Sequence, residues 1–140
     1  MPTMALARSY TADPASVPEV RRFVRKALQL HPRDLAERAA WVATELATNA
    51  VLHRGVHRFT VSVIPGAETV RVEVSGEGDA IPAPGDAEPM ARFSPGVRIV
   101  DGLCDRWGTQ PGASESANVL WFELDVPADA GRIGLIPPAV

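Results

Sequence analysis

Two β-branched, alternating runs, Phe59 to Ile64 and Thr69 to Ser75, flank Pro65-Gly66-Ala67-Glu68. Side chains alternate faces along a strand, so each run offers an apolar and a polar face, and the Pro-Gly turn predicts an antiparallel hairpin. A hairpin alone is marginal in water, and its apolar face must be covered. The cover lies upstream. Ser16-Val17-Pro18-Glu19 has capping-box spacing, and Val17, Val20, Phe23, Val24, Ala27 and Leu28 then form a stripe at helical period. His31-Pro32 breaks that helix and Asp34 is placed to cap a second. Leu35, Ala39, Val42, Leu46, Ala50 and Val51 carry the second stripe to about His53, and Gly55 stops it.

Leu6 to Ala12 alternates in polarity and predicts a short edge strand closed by Asp13-Pro14. From Gly76 to Pro95 the pattern gives way to Gly, Pro, Ala and acidic residues, which reads as a functional loop or lid, or as disorder. Val97, Ile99, Val100, Leu103 and Cys104 restore helical period. A strand is expected from near Trp107, a turn over Gly112 to Ser116, and a final strand over Asn118 to Val126. Pro127 to Val140 reads as a loosely held tail. The order predicts an α+β fold of two layers, a mixed, mostly antiparallel sheet with helices on one face.

With 140 residues the chain is long enough for one domain burying roughly two-thirds of its unfolded surface. A net charge of −3 shows no basic surplus, which disfavours direct nucleic-acid binding. No apolar run approaches the ~20 residues of a membrane span and no secretory leader pattern opens the chain, so the expected address is the cytoplasm. Cys104 is the only cysteine, which rules out an internal disulfide, and it reads as a buried helix residue. Trp107 and Trp121 read as core aromatics; His31 and His57 read as surface residues.

The chemistry-bearing word is Glu45-Leu-Ala-Thr-Asn49-Ala-Val-Leu-His53. Steps of four put a carboxylate, an amide and an imidazole on one helical face. From the helix pattern alone such a face is more often solvated than functional. His53 has a second ordinary reading, an imidazole favoured by the dipole at a helix C-terminus.

Taken with Val70-Arg-Val-Glu-Val74, Ile99-Val-Asp-Gly-Leu-Cys-Asp-Arg-Trp-Gly108 and Leu120-Trp-Phe-Glu-Leu124, in that order, this word resembles the anti-sigma factor type serine kinases of the GHKL ATPase superfamily. The resemblance covers about Ala5 to Val126 and implies a Bergerat-type ATP-binding fold. It implies ATP and Mg²⁺ as cofactors, Asn49 as the Mg²⁺ ligand, and Glu45 as the base for a serine hydroxyl of a partner protein. An amide oxygen suits Mg²⁺, which takes hard oxygen ligands and keeps several waters. A carboxylate suits proton removal as the γ-phosphoryl group leaves. His53 falls one turn further, near phosphate. The resemblance puts Gly76 and Gly78 at the adenine end and Ser94 and Gly96 at the lid. A sigma factor or its antagonist is the implied partner; such kinases are often dimers, although no residue here marks an interface.

Two words depart from the family. Where it carries an Asp that accepts from the adenine amino group, this chain has Gly76. Losing a charge-assisted hydrogen bond of roughly 1.5–3 kcal/mol weakens binding about ten- to a hundred-fold, unless Glu77 or Asp79 substitutes. Where the family carries Gly-x-Gly-Leu, this chain has Ser94-Pro95-Gly96-Val97, and Pro95 has no N–H for a phosphate. Ser94 and Gly96 also read as simple helix capping. The alternative to a kinase is therefore a relative that keeps the fold and a partner surface without productive ATP turnover.

Overall fold

The computed structural model describes residues 4–78, 80–81, 100–112 and 117–128. The elements run β1 (Leu6–Thr11), α1 (Ser16–Ala27), α2 (Arg33–Leu52), β2 (Val56–Ile64), β3 (Thr69–Gly78), β4 (Arg106–Pro111) and β5 (Asn118–Asp125). Residues 100–103 are helical and precede β4. The tail beyond residue 128, the 113–116 turn and most of the 76–95 loop lie outside the described residues. Among those described, no helix is long and apolar enough to cross a membrane.

The predicted hairpin forms, with Ile64 opposite Arg71 and Val61 opposite Val74. β5 then inserts between β3 and β4, giving the order β1-β2-β3-β5-β4. Every described pairing is antiparallel, so the expected mixed sheet is corrected to an antiparallel one. The reason is the placement of β5: β3 and β4 run in the same direction, and β5 separates them.

Alternation decides the layers. Phe59, Val61, Val63, Val70, Val72, Val74, Leu120, Phe122 and Leu124 are buried under the helices. α1 sends Val20 and Val24 into the same core, its C-cap Leu28 follows, and Phe23 and Ala27 are partly buried beside them. α2 is buried over a wide arc, and Ala36, Ala39, Ala40, Ala43, Ala47 and Ala50 have no long side chain to hold it away from the sheet.

Both expected caps are replaced. Ser16 begins α1, but its hydroxyl donates to the Thr11 carbonyl (2.8 Å), while the Asp13 carboxylate accepts from the Ala15 N–H (2.8 Å). α2 begins one residue before Asp34, after an extended Pro32. Asp34 sits in the first turn, where its charge suits the dipole, and pairs with Arg38 at 3.0 Å.

Candidate functional site

Glu45 and Asn49 lie one turn apart on α2, both half-buried. Burial raises the Glu45 pKa above the ordinary carboxylate range, because a less solvated site disfavours the charged form. Arg38, two turns before Glu45 on the same stripe, donates to the Leu103 carbonyl at 3.4 Å. The end of the 100–103 helical segment therefore borders this side of α2.

His53 departs from the sequence expectation. It is the C-cap of α2, with extended dihedrals (φ −90°, ψ 118°), so the helical stack that runs through Glu45 and Asn49 ends before it. Its carbonyl accepts from the Val56 N–H (3.1 Å), and that turn starts β2.

The same turn brings in β3. Gly78 pairs with Val56 and has φ +103°; a Cβ there would collide with the Gly55 carbonyl oxygen. Only glycine adopts this backbone freely while letting the chains approach so closely. Gly76 lies on the helix side, where a Cβ would stand 3.0 Å from Ile81 Cγ1 and 3.3 Å from Val56 Cγ1. The fold thus gathers the C-terminal end of α2, its following turn, and Gly76 and Gly78 at the end of β3. Ser94 and Gly96 lie outside the described residues, as does Asp79.

Ile81 is what sequence reasoning missed. It is buried, and its main chain is held by one side chain: Ile81 N–H donates to Asn118 Oδ1 and Asn118 Nδ2 donates to the Ile81 carbonyl, both at 2.8 Å. Ile81 therefore packs over the bare backbone at Gly76, where a carboxylate would have to project. Glu77 is exposed and stands opposite Arg58 in the β2–β3 ladder, and one step from Gly76 along a strand puts its side chain on the opposite face.

The face of the sheet away from the helices carries a charged network. Arg71 donates to Glu73 (2.8 Å), Glu123 (3.0 Å) and Gln110 (3.0 Å), and lies 4.6 Å from the Trp121 ring centroid. Arg106 joins through Glu123 at 2.9 Å. Trp121 is thus not a core aromatic, because its parity on β5 is that of Glu123 and opposes that of Phe122. Trp107 does pack against the core and donates to Asp101 (2.7 Å). His31 is also less exposed than expected, since its Nε2 lies 3.0 Å from the Gly66 carbonyl and ties the α1–α2 link to the hairpin turn. Cys104 follows the 100–103 helix, partly buried against the core; burial and the neighbouring Asp101 and Asp105 push its thiol up to about 11.

Glu45 and Asn49 put a carboxylate and an amide one turn apart on α2, oxygen-donor types that would suit a hard cation taking most of its other ligands from water and phosphate. At the Gly76 end no carboxylate among the described residues is available for a base. Also among them, no three His, Cys, Asp or Glu group as a protein-only metal site. No known protein family's sequence model matches this chain, and no curated protein matches it.

Proposed function

We propose that this protein is a cytoplasmic ATP-binding regulatory protein of the anti-sigma serine kinase type, with a Bergerat-type fold and an altered adenine end. The observation that carries the reading is that the turn closing the Glu45 to His53 word, through Gly55 and Val56, meets Gly76 and Gly78 at one end of a helix-covered antiparallel sheet. In this reading Asn49 holds Mg²⁺. When bound, ATP would supply the γ-phosphoryl group and Mg²⁺ would offset the charge that develops on it. Glu45 would take the proton of a partner's serine hydroxyl as that oxygen accepts the γ-phosphoryl group and ADP leaves. A carboxylate whose pKa is raised by burial is a better base for that proton than an ordinary surface glutamate. The partner is a sigma factor or its antagonist.

Calorimetric titration with ATP and Mg²⁺ tests the proposal. Binding is expected in the wild type, with phosphoryl transfer abolished in Asn49→Ala. Absence of both heat and thermal shift at millimolar nucleotide would sink it.

The contact between Ile81 and Gly76 favours a second reading, a binding module that keeps the fold and sequesters its partner without ATP turnover. Transfer of labelled phosphate to a copurifying partner would refute that reading.

A further inference from the structure

Among the described residues, strand β1 ends the sheet and pairs with β2 along one edge only. Half of an edge strand's N–H and C=O groups point away from its neighbour and form a template for another strand. Tyr10 is the only buried residue of β1. A cleft of about 580 Å³ runs between β1 and α1, lined by Arg8, Arg22 and Lys26 against a single acid, Glu19. Arg8 and Tyr10 project to the helix side, so the cleft lies on that face of the edge strand, with Ser9 between them. Among the described residues, none of α2 or β3 lines it.

Two of the three cations, Arg22 and Lys26, have no ion pair among the described residues. They stand one turn apart on α1. Arg8 lies 5.2 Å from the Phe23 ring centroid, which also lines the cleft. Tyr10 is 6% exposed, and none of the described residues accepts from its hydroxyl; the neighbouring Arg8 guanidinium has donors only. The molecule as a whole is acidic, with net charge −3, and this cationic cleft runs against that balance.

We propose that the free edge of β1 and the adjoining cleft dock an extended, acidic segment of a partner protein, added to the sheet as a further strand with its carboxylates on Arg8, Arg22 and Lys26. Main-chain bonds supply pairing and alternate side chains supply selection, as in strand addition generally. A second copy of this chain is a poor occupant, because its own β1 would bring another Arg8 and another cationic cleft. An inward-pointing charge at a sheet edge opposes self-pairing, and the same charge attracts an acidic strand.

The docking does not depend on nucleotide, and its test is run without any. A displayed library of random peptides of about eight residues, enough to span such a strand, is selected on the full-length protein. Selected peptides are expected to carry Asp or Glu at alternate positions and to protect β1 amides from hydrogen exchange. They are expected to lose at least about tenfold in affinity against Arg22→Glu/Lys26→Glu, with Arg22→Gln/Lys26→Gln intermediate. Both sites are exposed, so circular dichroism should show the variants folded. Selection without acidic enrichment, affinity indifferent to charge reversal, or protection confined to other strands overturns the proposal. So does a dimer of the free protein whose β1 amides are already protected.

Discussion

Asn118 grips Ile81 by both of its main-chain groups, accepting from its N–H and donating to its carbonyl at 2.8 Å each. The same carboxamide lies 3.4 Å from the Thr109 hydroxyl, so one side chain at the start of β5 joins β4 to the segment that leaves β3. This grip seats Ile81 on Gly76 and shapes the adenine end of the proposed site.

Replacing Asn118 by Ala removes both bonds and leaves two main-chain groups of a partly buried segment to find other partners. A loss of roughly 1–3 kcal/mol is expected in urea unfolding. Hydrogen exchange should show the Ile81 amide opening before the β2–β3 ladder. Unchanged stability and an Ile81 amide still protected would mean that packing alone holds Ile81.

Gly76→Asp tests the crowding directly. The new side chain meets Ile81 and Val56, and overpacking of this kind costs roughly 1–3 kcal/mol. Adding Ile81→Ala should restore part of that stability. If the site binds ATP, calorimetry on the double variant should show affinity increased about tenfold or more by the added acceptor; silence in both proteins supports the binding-module reading.

Glu45 gives a pH signature of defined sign. Its pKa is raised in the folded protein by burial, so the unfolded chain loses this proton first and stability falls as pH rises through the carboxylate range. Glu45→Gln removes that penalty. A gain of no more than roughly 1 kcal/mol is expected at pH 7 and none near pH 3, where both states are protonated. Phosphoryl transfer should disappear in the same variant. Destabilisation at pH 7 would show instead that the carboxylate has a favourable charged partner.

Cys104 should be slow to alkylate. A thiol pushed up to about 11 presents little thiolate at pH 8. Its rate with iodoacetamide should be roughly a hundredfold below that of an unperturbed cysteine, and should approach the ordinary value in urea. Equal rates in the native and unfolded protein would contradict the burial of the sulfur.

The helices, the hairpin and both edge strands were legible in the sequence, because each is written in a period. The Val20–Val24–Leu28 stripe and the Phe59–Val61–Val63 alternation each name their buried face from neighbours a few residues away. Trp121 was legible too, had parity outweighed its apolar context: Leu120, Phe122 and Leu124 face the core, and the residues between them face away. Ser16 and Asp34 misled because capping preference describes side chains that compete for several partners, and here the Thr11 carbonyl and Arg38 took them.

The sequence by itself determined the two layers and the positions of Glu45 and Asn49, one turn apart on α2, because local periodicity decides which face of each element avoids water. Only the tertiary structure decided that β5 enters between β3 and β4, that Asn118 thereby reaches Ile81, and that Gly76 and Gly78 meet the turn after α2. Those relationships join residues tens of positions apart. They arise when strands choose neighbours, and no repeat within a single strand encodes that choice.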